Sequence, residues 1–227
     1  LLLSSAASDV YKRQDQLLEA KLILEKTVKI FKGDQVTNQA LNTLKEISIE
    51  TGKVDVFSEW LKKEQINSFS ESEISNSAFE SIEKYFFEKK NKQAQKQIQD
   101  FLLRYPNHSK TTLLKYYLAD INFQDKQWNN AFQLYEQIMN LPFNEYSEKS
   151  IVNAILSLQN LNQSLNTESL LVKLKKITVH EENINFANTN LMALYFSKGD
   201  FFKARDISNE ILNQKYIDSN IYQDAIE

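Results

Sequence analysis

Residues 116–132 read Tyr116-Tyr117-Leu118-Ala119-Asp120-Ile121-Asn122-Phe123-Gln124-Asp125-Lys126-Gln127-Trp128-Asn129-Asn130-Ala131-Phe132, and the fold turns on this stretch. Before Lys126, Leu114, Leu118 and Ile121 recur at spacings of three and four. After it, Ala131, Leu134, Tyr135, Ile138 and Met139 do the same. Side chains at those spacings share one face of a helix, so the segment predicts two amphipathic helices joined by a turn at Lys126. Pro142 stops the second helix, because it lacks an N–H and restricts the residue before it.

The unit repeats. The residue five places after the turn is Ala131 here, and its counterparts are Ala20, Phe57, Ala94, Thr167 and Ala204, at spacings of 37, 37, 37, 36 and 37. The matching turn residues are Asp15, Gly52, Lys89, Lys126, Asn162 and Gly199, and an apolar residue follows two places later as Leu17, Val54, Trp128 and Phe201, with Asn91 and Ser164 breaking the series. Ala78, Ile82, Tyr85 and Phe86 form a further first-helix stripe, and Ala94, Ile98, Phe101 and Leu102 its second-helix partner. Pro106 ends that helix, and Ser70-Glu71-Ser72-Glu73 predicts a capping box opening a first helix. Neither helix of a pair can bury its stripe alone, so consecutive pairs must stack.

Composition agrees. With 42% hydrophobic residues the 227-residue chain can build a core, and with 3 Gly and 2 Pro it is poorly suited to an all-β fold or to phosphate-cradling loops. No cysteine means no disulfide, thiolate ligand or cysteine nucleophile. A net charge of −3, with only Arg13, Arg104 and Arg205 as arginines, argues against nucleic acid as partner. The apolar runs fall short of the roughly 18 residues that a membrane span needs.

Residues 4–14, Ser4 to Gln14, match over eleven codons the translation of a common transposon-type sequencing adapter, so residues 1–14 are expected to be non-native. Without them the chain carries −4, since they hold Asp9 against Lys12 and Arg13. The expected organisation is then a solenoid fragment over 15–227, truncated at both ends, with units near 15–34, 35–71, 72–108, 109–144, 145–181, 182–217 and 218–227. It begins with an orphan second helix at about 15–31 and ends in an incomplete first helix from about 218. Uncovered apolar stripes at those ends predict that the fragment alone frays or self-associates.

The residues 116–142, and Leu191-Met192-Ala193-Leu194-Tyr195-Phe196-Ser197-Lys198-Gly199-Asp200-Phe201-Phe202-Lys203-Ala204, resemble the tetratricopeptide repeat (TPR) family. The departures are Asn122 where a tyrosine is usual, Phe57 and Thr167 in place of the packing alanine, and a period longer than the family's 34 or so residues. The resemblance covers residues 15–227 and implies an all-α, right-handed superhelical solenoid of antiparallel helix pairs. Tyr105-Pro106-Asn107-His108-Ser109 resembles repeat junctions of bacterial cell-envelope proteins, including outer-membrane assembly lipoproteins and Tol–Pal coordinators. Compartment therefore stays open between the periplasm or cell envelope and the cytoplasm.

Catalysis needs convergent acid, base or nucleophile groups, and the sequence suggests none, nor a metal or cofactor site. His108 and His180 fall between helices and read as solvated; Lys62-Lys63-Glu64 and Lys173, Lys175 and Lys176 read as solvated faces. Glu181-Glu182 reads as the acidic start of a helix. The resemblance implies a concave groove lined by first helices, which by register takes Asn76, Phe79, Glu83, Phe86 and Phe87, then Leu113, Tyr116, Asp120, Phe123 and Gln124, then Phe186, Thr189 and Phe196. Rings beside amides and carboxylates suit a protein or peptide partner. The competing reading packs many of those rings between helices. The expected function is a non-enzymatic interaction scaffold within a larger bacterial protein. The alternative is a helical sensor or regulatory arm whose active domain lies outside this stretch.

Overall fold

The computed structural model describes residues 2–31 and 34–213, with residues 2–15 described by backbone alone. Among the described residues there are eleven α-helices and no strand. Helix α1 spans Leu2–Ile30. Five antiparallel pairs follow: α2 (Gln35–Thr51) with α3 (Val54–Lys63), α4 (Glu71–Phe87) with α5 (Asn91–Arg104), α6 (Thr111–Gln124) with α7 (Trp128–Met139), α8 (Ser147–Asn160) with α9 (Glu168–Ile177), and α10 (Glu181–Ser197) with α11 (Phe201–Leu212). The fold class is thus the all-α array of helix pairs that the stripes predict. Helix α1 starts upstream of the 15–31 helix expected from the sequence, and the helix expected from about 218 lies outside the described residues.

The chain forms two compact units, 1–108 and 109–227. In the first, α1 to α5 each touch the next helix in chain order, and α2 also meets α4. In the second, α6 to α11 do likewise, and α6 also meets α8. The first unit centres on Val28, Leu41, Leu44, Val54, Phe57, Leu61 and Ile74. The second centres on Tyr135, Ile151, Ile155, Leu171, Leu174 and Leu191, all nearly inaccessible to solvent. Each fully buried aliphatic side chain stabilises by about 1.5–3 kcal/mol, which is why the stripes, rather than helix propensity, set the pairing.

Every turn inside a pair closes the same way. Gly52, Lys89, Lys126, Asn162 and Gly199 all adopt the left-handed conformation, with φ of 69°, 56°, 58°, 56° and 74°. The next residue's N–H donates back to a carbonyl five residues earlier: Lys53 to Ser48 at 2.8 Å, Lys90 to Tyr85 at 2.9 Å, Gln127 to Asn122 at 2.8 Å, Gln163 to Leu158 at 2.8 Å and Asp200 to Tyr195 at 2.9 Å. This is the Schellman closure, which satisfies carbonyls that the helix end would leave bare.

Helix starts and the three departures also have local causes. Ser70 caps α4 in a reciprocal box: the Glu73 N–H donates to Ser70 Oγ at 3.2 Å, and the Ser70 N–H to Glu73 Oε2 at 2.7 Å. Phe57 fits where alanine is usual because Trp60 stacks on it at 6.1 Å and Phe69 meets it edge-on at 5.8 Å. Asn122 is buried and folds its amide onto the Leu118 carbonyl at 2.6 Å. Thr167 is buried too, and its hydroxyl donates to the Ser164 carbonyl at 2.6 Å. There a 3-10 turn, Ser164–Asn166, replaces the opening turn of the second helix, so α9 begins only at Glu168.

The basic clusters are more engaged than the sequence suggests. Lys173 Nζ donates to the Met139 carbonyl at the end of α7 at 2.9 Å, Lys175 pairs with Glu210, and Glu64 pairs with Lys29 at 2.7 Å. A lysine at a helix C-terminus meets bare carbonyls and the negative end of the dipole, which favours the charge there.

Candidate functional site

Within the first unit, α4 carries Asn76, Phe79, Glu83, Phe86 and Phe87 at helical spacing. Phe79, Glu83 and Phe86 are half-buried, whereas Asn76 and Phe87 are exposed, Phe87 to 68%. The Phe86 and Phe87 rings meet edge-on at 5.5 Å. A separate cleft of about 370 Å³ in the same unit is lined by Gly52, Tyr85, Gln97, Asp100 and Arg104, residues that no motif or groove register brings together.

In the second unit the predicted residues converge more tightly. Tyr116, Asp120 and Gln124 stand one turn apart along α6, hence on one ridge. The Gln124 amide donates to Asp120 Oδ2 at 2.7 Å. The Tyr116 ring stacks on Tyr146, with centroids 5.3 Å apart and planes at 27°, and lies 6.1 Å from Tyr135. Asn153 of α8 donates to the Tyr135 hydroxyl oxygen at 3.2 Å and also hydrogen-bonds Tyr116. Burial raises the Asp120 carboxyl above its ordinary range, opposed by the Gln124 bond. Burial, and then the Asp120 charge, push both phenols up, Tyr135 the further.

Sequence periodicity did not point to Tyr146 or Asn153 as members of this cluster, and Tyr135 read only as core. Tyr146 sits in the approach to α8, where the Asn144 side chain accepts its N–H at 3.0 Å and the Asn144 N–H donates to Ser147 Oγ at 2.9 Å. No hydrophobic period marks such a loop. The Asn-x-x-Ser spacing was the available signal.

The remaining groove-register residues divide. Phe123 meets Trp128 edge-on at 4.9 Å across the Lys126 turn, and Phe196 meets Phe201 at 5.4 Å across the Gly199 turn. Phe123 is half-buried against the core, but Phe196 stays 66% exposed. Leu113 is half-buried, Phe186 packs on the core, and the Thr189 hydroxyl is buried. His108 is not simply solvated: its ring meets Phe101 edge-on at 5.1 Å. His180 is exposed at the start of α10.

Among the described residues no group of three His, Asp or Glu is placed to hold a metal ion, and no helix is long and apolar enough to cross a membrane. No family model and no curated protein sequence matches the chain. Among solved structures it is similar to a Podospora anserina kinesin light chain with nearly identical TPR-like repeats, at 15% identity and a TM-score of 0.46, covering 78% of this chain and 97% of that one. A variant of that protein gives 15% and 0.47, covering 76% and 91%. The pilF protein of Pseudomonas aeruginosa gives 14% and 0.47, covering 94% of this chain and 90% of that one.

Proposed function

We propose that this chain is a TPR-type scaffold in a larger bacterial protein, and that the first-helix faces of its units bind an extended peptide or partner helix. The observation that carries this reading is the state of the groove-register rings: Phe87 and Phe196 are largely exposed, and Tyr116 is half-buried beside Asp120 and Gln124. Large aromatics left in solvent, and a ring set beside hydrogen-bonding groups, are what binding hot spots are made of. The Tyr105-Pro106-Asn107 junction favours the cell envelope as its setting. Pull-down by the wild-type chain against a variant with Phe79, Phe87 and Tyr116 changed to alanine tests the groove. Partner recovery should fall at least tenfold, and unchanged recovery would remove the proposal.

Self-association is a second reading with its own support. Leu18, Leu22, Ile23 and Ile30 of α1 are each more than half exposed, and they form an aliphatic surface on a helix that meets α2 on its other side. Sedimentation velocity over a hundredfold concentration range should show a dimer that Leu18→Glu with Leu22→Glu abolishes. A monomer at every concentration would end this reading.

A further inference from the structure

Among the described residues, Asp120 is a half-buried carboxylate without a cation beside it. Gln124 is the described group whose hydrogen bond favours its ionised form, and no described lysine or arginine contributes. Gln124 occupies Oδ2, and no hydrogen bond reaches Oδ1 among the described residues. The elements around it supply neutral groups: the Tyr116 and Tyr135 phenols, the Tyr146 ring stacked on Tyr116, and the Asn153 amide. A partly desolvated anion among electron-rich rings attracts a cation twice, by direct charge and by the ring quadrupoles.

We propose that the ridge Tyr116–Asp120–Gln124 is the subsite for a lysine or arginine side chain of an extended partner peptide, which rests on the groove reading above. Charge complementarity selects this occupant. An acidic side chain or a terminal carboxylate would be repelled by Asp120. An apolar side chain would complete the burial of an unpaired charge, which costs more than the contact returns. The stem of a lysine or arginine can lie along the half-buried Tyr116 and Tyr146 rings while its head reaches Oδ1.

The probes are four acetylated, amidated pentapeptides of alanine with arginine, citrulline, lysine or glutamate at the centre, titrated into the full chain while the side-chain amide signals of Gln124 and Asn153 are followed by NMR. Citrulline keeps the shape of arginine and drops the charge. The arginine peptide should bind at least fivefold more tightly than the citrulline peptide, lysine should follow arginine, and added salt should shrink the ratio. Asp120→Asn, which preserves side-chain volume, should bring the ratio to within twofold of one. Equal binding of arginine and citrulline peptides, or an unchanged ratio in Asp120→Asn, overturns the subsite and leaves the groove standing. Signals that no peptide moves overturn both.

Discussion

The left-handed turns offer a sharp test, because two of them use glycine in contrasting surroundings. At Gly199 an added Cβ would meet no atom within 4 Å, so Gly199→Ala probes backbone conformation alone. An L-residue there costs about 1–2 kcal/mol, and the stiffer unfolded chain returns about 0.4–1 kcal/mol, for a net loss near 1 kcal/mol. At Gly52 the same Cβ would fall on Gln97 Nε2 inside van der Waals contact and 2.9 Å from Tyr85 Cε2. Moving Gln97 takes away one of two acceptors for the single Ser81 hydroxyl proton, Gln97 Oε1 at 3.1 Å, while the Ile49 carbonyl at 3.0 Å remains, a loss of about 0.5 kcal/mol. Displacing the Tyr85 ring adds about 1 kcal/mol of overpacking. Gly52→Ala should therefore cost about 2.5 kcal/mol, roughly 1.5 kcal/mol more than Gly199→Ala. Urea unfolding followed by tryptophan fluorescence measures both. Trp60 belongs to the first unit and Trp128 to the second, so Trp128→Phe and Trp60→Phe backgrounds report each unit separately. Equal losses, a larger loss at Gly199, or a Gly52→Ala effect seen by Trp128 and not by Trp60 would refute the reasoning.

Three further outcomes follow from the same geometry. Lys126→Gly, at φ 58°, should raise stability by about 0.5 kcal/mol in urea unfolding, since the left-handed penalty disappears while the unfolded chain gains some freedom. Ser70→Ala should lower stability by about 1 kcal/mol by opening the N-terminus of α4, again read in urea. Asp120→Asn should be more stable than the wild type at pH 7. The folded carboxyl titrates above its unfolded value, so its charge destabilises at neutral pH and the penalty fades as pH falls through the folded value; melting curves from pH 7 to pH 4 should converge.

The fold was legible because its punctuation is periodic. Gly52, Lys89, Lys126, Asn162 and Gly199 mark the turns in the sequence and take left-handed backbone in the structure, and the stripes on either side leave one way to pair the helices. The candidate site was legible only along single helices. Tyr116, Asp120 and Gln124 come from the groove register that the family resemblance implies, whereas Tyr146 and Asn153 reach them from the next pair, a proximity that spacing within α6 cannot encode. The same limit hid Lys173, whose partner carbonyl belongs to Met139, 34 residues away. The 3-10 turn at Ser164–Asn166 was hidden for another reason, a competition between Thr167 side-chain bonding and helix propagation that hydrophobic period does not register.

The Schellman closures have an evolutionary corollary. Each is completed by atoms at most five residues apart, so a hairpin carries its own fastening wherever it is spliced. Unequal recombination that copies or drops one whole period would break no hydrogen bond inside a turn. Whole hairpins can therefore be gained or lost in a lineage without rebuilding a single turn.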